Sequence, residues 1–455
     1  MSAETMYGVH PGLFKSEPPN GREVVRSLFC GREYELQYCT STLRDSMVRD
    51  GEQSRDFDKQ PWIIHGESRA GKSHLARRIL TDLDNGEDIL SFIIPARERL
   101  QAVKVMETLF NKIANEFTSR HSSRSLWEKA KDVVAESPET EVVLDIIDKV
   151  QALSHSVEGI DLTISATTKD AFEVGGSTSI LPGILKILAK SGRQNTDGRT
   201  TVFKLRPPNA DDYVNYCSLI IGVLRREYGV KSVLVLVDDV DLIEGYKDPE
   251  QNGRVQRLIL AASLIALHQI PCVEVVVTSR SWYAYANKEF QELVNLYDFD
   301  MSENEIVEIY RRRWKAYAPR VPGGFLNEDA LLTAAQDVQG IPGVFLQHMD
   351  TAFKSFLYEK DWGPRDYDWY LKVFVRRFTR CRDKHPDATN AIQRHVEAGR
   401  KQIDVRENNI FQSTMLENDF AFQSYHNEHT YFIDGLAEKV VRAVATMDDT
   451  QQGKN

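Results

Sequence analysis

Apolar and polar positions along the chain form two kinds of pattern, which together predict a mixed α/β fold. Continuous apolar runs that stop at polar residues are typical of strands buried on both faces of a parallel sheet. Such runs are PWIIHG at 61–66, ILSFII at 89–94, SVLVLVDD at 232–239 and VEVVVTSR at 273–280. Between these runs apolar residues recur at three- and four-residue steps, and that spacing predicts helices. Strands that alternate with helices favour a parallel, doubly wound sheet.

Capping residues mark the ends of several predicted helices. Asn209 and Gly229 are of the types expected at the start and the end of a helix, and they flank a long apolar stripe. Ser302 and Glu305 have the spacing of a capping box, which predicts a further helix beyond residue 300. The predicted helices before it span residues 32–48, 72–83, 209–229 and 253–268.

The stretch from about 115 to 200 is harder to assign, and we interpret it as an insertion. Residues 125–153 have helical composition and periodicity. Residues 159–178 alternate weakly and are rich in Thr and Ser, as in an exposed hairpin. The sequence GRQNTDGRT at 192–200 predicts a turn-rich loop.

Composition narrows the class of protein. The 455 residues are enough for two to four domains, and 42% hydrophobic with 27% charged residues is close to the globular average. The net charge of −10 disfavours a protein that coats nucleic acid, although a local basic patch is compatible with it. The longest mostly apolar run, 258–267, is about half the length that crosses a bilayer. The chain has neither a signal-peptide pattern nor a CxxC pair, so we expect a cytoplasmic protein with reduced cysteines.

The strongest chemical signal is GESRAGKS at 66–73, which fits the P-loop pattern G-x-x-x-x-G-K-[ST] between a predicted strand and a predicted helix. Glycines let backbone N–H groups curl around phosphate oxygens, and the helix N-terminus adds partial positive charge. Lys72 would reach the β- and γ-phosphates, and the Ser73 hydroxyl would ligate Mg²⁺. The motif predicts a Mg-ATP site, and a glycine-rich turn without a ligand is the weaker alternative.

Polar residues end the next two buried runs, at the sheet edge where such folds bind ligands. Asp238 would hold Mg²⁺, and Asp239 would orient or deprotonate the attacking water. Thr278, Ser279 and Arg280 end the following strand, where a hydroxyl or a guanidinium would touch the γ-phosphate. An ordinary strand-to-loop turn and a solvated strand end are the alternatives.

In this order the motifs resemble those of the AAA+ and STAND group of P-loop ATPases, near its origin-recognition-like branch. FCGREYEL at 29–36 resembles the box before the P-loop, VLVDDVD at 235–241 resembles the Walker B strand, and TSR at 278–280 resembles the STAND sensor. LYDFDMSENEIVEIYRRRW at 296–314 resembles the segment that enters the helical lid, and QGIPGVFL at 339–346 resembles the GxP motif of the lid. The resemblance covers about residues 29–350.

The resemblance implies roles for residues outside the P-loop. Gly31 and Arg32 would lie near adenine, Arg280 would approach the γ-phosphate, and Pro342 would contact the base or the ribose. The predicted catalytic residues are Lys72, Asp239 and Arg280, and the predicted metal ligands are Ser73 and Asp238. The predicted nucleotide-binding residues are Gly31, Arg32, Gly66, Glu67, Ser68, Arg69, Ala70, Gly71, Lys72, Ser73, His74 and Pro342.

The expected architecture is α/β, with a P-loop NTPase core around a parallel sheet, a helical lid and a mostly helical or winged-helix C-terminal domain. The expected boundaries are an arm at 1–28, the core at 29–285, the lid at 286–350 and an interaction domain at 351–455. Lys72 and Asp238 are 166 positions apart, farther than a compact core needs, and this places the insertion between them. The Walker B strand ends Asp-Asp rather than the Asp-Glu of vigorous motors, which favours slow hydrolysis.

The C-terminal region contains a basic cluster but no catalytic motif. Lys372, Arg376 and Arg380 share one face of a predicted helix and would contact DNA phosphates. A solvated helix face that pairs with this acidic chain is the interpretation we favour for the cluster.

Three functions are consistent with these observations. The first is an ATP-driven regulatory switch that controls self-assembly or a separately encoded effector protein, and the resemblance makes antiviral defence or a mobile element a natural setting. The second is a DNA-loading or transposition-regulating ATPase. The third is a scaffold that binds nucleotide without hydrolysing it. The dependence of ATP turnover on DNA distinguishes the three.

Overall fold

The structure is a computed structural model, and it describes most of the chain in separate stretches. These are residues 13–14, 22–52, 60–66, 69–96, 101–129, 138–153, 160–165, 192–197, 200–205, 207–240, 252–280, 289–296, 301–318, 324–359, 363–400, 402–404, 420, 422–423 and 430–452. Within these stretches no helix is both long enough and apolar enough to span a membrane.

Strands and helices follow one another along the chain in the order that the sequence patterns predict, with additions. The strands are β1 (Trp62–Gly66), β2 (Ile89–Pro95), β3 (Ile160–Ser165), β4 (Gly192–Asp197), β5 (Thr200–Leu205), β6 (Ser232–Asp238), β7 (Val273–Arg280), β8 (Gln291–Asn295), β9 (Gln402–Asp404), β10 (Phe422–Gln423) and β11 (Thr430–Phe432). The helices are α1 (Arg22–Leu28), α2 (Glu33–Glu52), α3 (Lys72–Leu83), α4 (Ala102–Lys129), α5 (Pro138–Leu153), α6 (Ala210–Tyr228), α7 (Asn252–His268), α8 (Glu303–Tyr317), α9 (Glu328–Asp337), α10 (Pro342–Phe356), α11 (Tyr367–Lys384), α12 (Pro386–Glu397) and α13 (Gly435–Gln452).

A five-stranded parallel sheet lies at the centre of the α/β region, in the order β2-β6-β7-β1-β8. The surroundings of strand β6 explain its continuous apolar run. Its odd-numbered valines belong to a hydrophobic cluster with α4, α6 and α7, and Leu234 and Leu236 belong to a second cluster with α2 and α3. Because both faces are covered, every position of β6 is buried, and the alternation typical of a half-exposed strand is absent.

The sheet order decides where the chemistry gathers. Strand β7 lies between β6 and the P-loop strand β1, so the carboxyl ends of all three strands meet at one edge. Strand β8 adds an outer strand beside β1 and follows residue 285, so the core sheet continues past the boundary that the sequence predicts. The run QELVN has only two buried positions, which is a weak strand pattern and explains why it was missed.

Part of the predicted insertion belongs to the core. Phe117 of α4 and four apolar residues of α5 are buried in the same cluster as β6. The predicted helix at 125–153 is instead two helices, α4 and α5. The predicted loop at 192–200 is wrong, because β4 and β5 form an antiparallel hairpin in which Asp197 pairs with Thr200. Strand β3 completes a three-stranded sheet in the order β3-β5-β4.

The described residues of the predicted N-terminal arm, 13–14 and 22–28, pack against the rest of the chain. Arg22 of α1 forms an ion pair with Asp84 at 2.7 Å, and the carbonyl oxygen of Arg26 accepts a hydrogen bond from Arg78 of α3. Phe14 stacks on Tyr310 of α8, with ring centroids 5.7 Å apart. The arm therefore contacts both the core and the helical region.

The helices beyond residue 300 share one hydrophobic core. Buried residues from α8, α9 and α10 lie in the same cluster as those from α11, α12 and α13. The predicted boundary between lid and C-terminal domain at 350 falls inside α10, so the structure does not divide the chain there. The winged-helix alternative needs helices between β9 and β10, and residues 405–419 lie outside the described residues, so it stays a prediction.

Candidate functional site

The loop between β1 and α3 has the backbone geometry of a phosphate cradle. Gly66 ends β1 with φ 151°, and an added Cβ would lie 3.0 Å from Cβ of Leu296. Gly71 precedes α3 with φ 93°, in the left-handed region that favours glycine, and no side-chain hydrogen bond caps the helix. The first N–H groups of α3 therefore face the loop with the positive end of the helix dipole.

Lys72 and Ser73 are fixed by the first turn of α3. The Lys72 side chain is buried, and its Nζ donates a hydrogen bond to the carbonyl oxygen of Gly66 at 3.4 Å, across the loop. Because the ammonium group is held inside the loop, it lies where a bound phosphate would need a positive charge. Ser73 projects toward the neighbouring strand end and contacts Asp238 there.

A chain of hydroxyl and carboxylate groups links the P-loop to two strand ends. The Ser73 hydroxyl donates to Oδ1 of Asp238 at 2.7 Å, and the Thr278 hydroxyl donates to the same oxygen. Within the described residues, Oδ2 of Asp238 has no hydrogen bond. A hydroxyl and a carboxylate are oxygen donors of the kind that Mg²⁺ prefers, so Ser73 and Asp238 fit the predicted metal ligands.

The same two residues are too few to form a closed metal site. Across the described part of the chain, no group of three or more His, Cys, Asp or Glu side chains is arranged to hold a metal ion. Mg²⁺ is commonly held by one or two carboxylates together with substrate phosphates and water, and this donor set matches that mode.

Asp239 has an unusual backbone conformation. Its φ is 58°, in the left-handed region that costs a non-glycine residue about 1 kcal/mol or more. The Asp239 N–H donates to the hydroxyl oxygen of Thr278 at 2.9 Å, which holds the turn after β6. Thr278 thus contacts both acids. The sequence marked its hydroxyl as a candidate γ-phosphate contact, but it did not predict this contact, because the acids lie about forty positions earlier in the chain.

The remaining predicted residues fall into three groups. The backbone of Arg280 pairs with Gly66 across β7 and β1, so it lies beside the start of the P-loop, whereas its side chain lies outside the described residues. Glu67 and Ser68 also lie outside them. Arg69 and Ala70 are described within the loop, and the roles predicted for these five residues stay predictions.

Gly31 and Arg32 lie where the core meets the helical region. Both have left-handed backbone angles, with φ 67° and 60°. A Cβ on Gly31 would lie 2.4 Å from Cε of Met301, so the end of the methionine side chain would have to shift, and the positive φ favours glycine here. Arg32 is buried and forms an ion pair with Glu35 at 3.2 Å. Their proposed proximity to adenine stays a prediction.

The N-terminus of α10 rests directly on the P-loop. The N–H of Gly343 donates to the carbonyl oxygen of Arg69 at 3.0 Å. An added Cβ on Gly343 would lie 2.5 Å from Cβ of Arg69, and Cγ of Pro342 lies 4.0 Å from the Cβ position of Gly71. Pro342 therefore reaches the nucleotide site through the loop itself. Gly343 was missed, although it follows Pro342 directly in the motif.

A second contact joins α8 to the helix of the P-loop. The guanidinium of Arg313 lies 3.2 Å from Nε2 of His74; Arg313 is buried and His74 is half-buried. Burial, together with Arg313 and Arg77, lowers the pKa of His74 to about 3. His74 is therefore neutral at physiological pH and accepts the hydrogen bond. Burial also lowers the pKa of Arg313 to about 10. Arg313 was missed because three consecutive arginines give no indication of which one turns inward.

Comparison with known proteins supports this description of the P-loop region. Residues 55–173 match a family model described as an AAA domain. No curated protein matches the chain in sequence.

Solved structures resemble the chain only distantly. The Aeropyrum pernix ORC1 protein in complex with DNA has 11% identity and a TM-score of 0.43, with 93% of this chain and 96% of that chain covered. The Aeropyrum pernix ORC2 protein has 9% identity and a TM-score of 0.40, with 97% and 98% covered. Cdc6p from Pyrobaculum aerophilum has 11% identity and a TM-score of 0.34, with 97% and 99% covered. Similarities this remote carry no argument about function.

Proposed function

We propose that this protein, which carries a P-loop domain of the AAA class, is an ATP-binding and slowly hydrolysing regulatory switch. The observation that carries the proposal is the contact of α10 with the P-loop, through Gly343 on Arg69 and Pro342 on Gly71. A nucleotide bound in the loop touches the same backbone that the lid touches. Replacement of ATP by ADP therefore changes the contact between the P-loop and α10 directly, because no other helix or strand has to transmit the change.

The residues of the loop supply binding and the strand ends supply chemistry. Lys72 binds the β- and γ-phosphates, and Ser73 and Asp238 hold Mg²⁺, which offsets the phosphate charge when bound. Asp239 orients the attacking water and accepts its proton. Arg280, whose backbone lies beside Gly66, reads the γ-phosphate. An aspartate in place of a longer glutamate supports slow turnover, which suits a switch better than a motor.

The output of the switch is a surface that forms when the lid closes. Self-assembly or a separately encoded effector protein would use this surface, and antiviral defence or a mobile element is the setting that the motifs suggest. The protein works in the cytoplasm in this proposal.

The test is calorimetry and light scattering on the full chain. Lys72→Ala removes the point charge aimed at the phosphates, so tight ATP binding is lost, whereas the exposed Lys104→Ala binds as the wild type does. A slowly hydrolysed ATP analogue, but not ADP, gives a larger or more compact species, and Arg280→Ala binds ATP without this change. Unchanged ATP affinity in Lys72→Ala would contradict the site, and identical particle sizes in all states would favour the scaffold.

A DNA-acting ATPase is the second candidate, and one observation favours it. Arg376 and Arg380 of α11 are exposed, and the described residues offer them neither a hydrogen bond nor an ion pair. Unpaired arginines on one helix face suit phosphate contacts. Stimulation of ATP turnover by duplex DNA would favour this candidate over the switch.

A further inference from the structure

A cleft separates α10 from α11 on the side of the helical region away from the P-loop contact. Its volume is about 580 Å³, within the range of sites that bind small molecules. The cleft is lined mainly by polar and charged side chains from the two helices and the turn after α10. They are Gln347, Asp350, Thr351, Lys354, Ser355, Tyr358, Glu359, Val373, Arg376, Arg377 and Arg380.

The charge of this cleft is opposite to that of the chain. Four of its lining residues are basic and two are acidic, in a protein whose net charge is −10. Both acids have other partners. Asp350 accepts a hydrogen bond from Lys354 at 2.6 Å, and Glu359 accepts one from Trp369 at 3.3 Å. Within the described residues neither carboxylate pairs with Arg376 or Arg380.

Arg376 and Arg380 are positioned for one ligand. They lie four residues apart on α11, so they share a face and are separated by about one helical turn, roughly 5 Å. Buried Phe374 and Phe378 anchor the opposite face of the helix in the hydrophobic core. In the described part of the chain neither arginine has an intramolecular partner. Successive phosphates of an extended strand are spaced comparably, and guanidinium groups bind phosphate in a bidentate manner.

Tyr358 supplies a second kind of contact. It follows α10 at the edge of the cleft, and 88% of its surface is exposed. An exposed aromatic ring next to unpaired arginines is the combination that binds nucleotides, since bases stack on the ring while the phosphates meet the guanidinium groups. An isolated exposed tyrosine would not indicate nucleotide binding, but Tyr358 lines the same cleft as Arg376 and Arg380.

We propose that the cleft between α10 and α11 binds a phosphodiester-linked ligand of at least two nucleotides, either part of a single strand or a free oligonucleotide. Arg376 and Arg380 bind successive phosphates, Tyr358 stacks on a base, and the side chains of Gln347 and Ser355 offer hydrogen bonds. This site is separate from the P-loop, and the same helix, α10, contacts both.

The test measures fluorescence anisotropy of a labelled 12-nucleotide DNA single strand with the full chain. Its duplex and an unlabelled linear diadenylate serve as the other probes. The double variant Arg376→Gln with Arg380→Gln removes two charges from the cleft. The matched control, Lys384→Gln with Arg394→Gln, removes two charges from exposed positions of α11 and α12 outside the cleft.

We expect the cleft variant to weaken single-strand binding at least tenfold, and the control pair to change it less than threefold. Loss of two phosphate contacts lowers the slope of log affinity against log salt by about 1.4. Tyr358→Ala weakens binding about fivefold or more, and Tyr358→Phe restores it, because stacking needs the ring and not the hydroxyl. Competition by diadenylate assigns a free oligonucleotide, and binding of the 12-nucleotide strand alone assigns a nucleic-acid strand.

Three outcomes would overturn the proposal. They are equal losses in the cleft variant and the control pair, tighter binding of the duplex than of the single strand, and no binding of any probe by the wild-type chain. Calorimetric ATP binding by the wild-type protein is scored separately. Failure of the cleft with ATP binding intact therefore contradicts this inference alone.

Discussion

The nucleotide site and the α10–α11 cleft differ in how their polar groups are satisfied. At the P-loop, Ser73 and Thr278 already donate to Asp238, so the protein itself holds the predicted metal ligands Ser73 and Asp238 in place. In the cleft, Arg376 and Arg380 have no partner among the described residues, so a ligand would have to supply the acceptors for their hydrogen bonds. The first arrangement is preorganised for chemistry, because its geometry does not wait for the ligand. The second is arranged for binding.

The two regions are joined by the contact of α10 with the P-loop. That contact consists of one backbone hydrogen bond and a close approach that only glycine permits. Asp238 and Thr278 are thus positioned by the sheet, whereas α10 meets the loop through few groups, beside the separate Arg313–His74 contact from α8. Substitutions of Asp238 or Asp239 at the sheet edge should have the largest effects. Substitution of Gly343 should have a smaller effect, and substitution of His74 the smallest.

The largest effect is expected at the two acids of the sheet edge. Asp239→Asn lowers ATP turnover by about 100-fold or more and leaves Mg-ATP affinity mostly intact, because the amide fits but accepts no proton. Asp238→Asn weakens the dependence of ATP binding on Mg²⁺, since it removes a carboxylate from the Ser73–Thr278 chain. Turnover assays and calorimetry with Mg²⁺ or a chelator separate the two variants. If both variants behave identically, the division of roles is wrong.

A smaller effect is expected where α10 meets the P-loop. Gly343→Val places a branched side chain within 3 Å of Arg69, so the lid moves away from the loop. We expect ATP affinity to fall about tenfold, in line with the usual cost of overpacking. Ser355→Val introduces the same side chain into the same helix, far from the loop, and should bind ATP normally. Wild-type affinity in Gly343→Val would mean that the lid contact does not support nucleotide binding.

The smallest effect is expected at His74, and it depends on pH. The folded pKa is about 3 and the ordinary value is 6.5, so between these values the unfolded chain binds the extra proton. The free energy of unfolding therefore falls as pH drops through 6.5, by under about 1 kcal/mol between pH 7 and pH 6. Denaturant titrations of wild type and His74→Gln at both pH values test this. A variant whose stability falls as steeply as that of the wild type would exclude His74 as the cause.

Local patterns determined the elements that form the nucleotide site. The apolar runs that became β1, β6 and β7 are buried on both faces, and consecutive apolar residues record that requirement. The run that became the edge strand β2 is buried only at alternate positions. The capping boxes at Asn209 and Ser302 likewise depend only on positions three residues apart. The P-loop could be found for the same reason, since its glycines, lysine and serine lie within eight consecutive residues.

The tertiary structure decided what depends on partners distant in the chain. Strand β8 and the β4–β5 hairpin form because other strands supply their hydrogen bonds, and no local periodicity records that. Thr278 acquired its role from Asp238, forty positions earlier, and Arg313 was selected from three arginines by the position of His74. The sequence by itself determined that Arg376 and Arg380 share a helix face. Only the packing of α10 beside α11 made that face one wall of a cleft, because a concave site needs two elements whose distance the sequence does not specify.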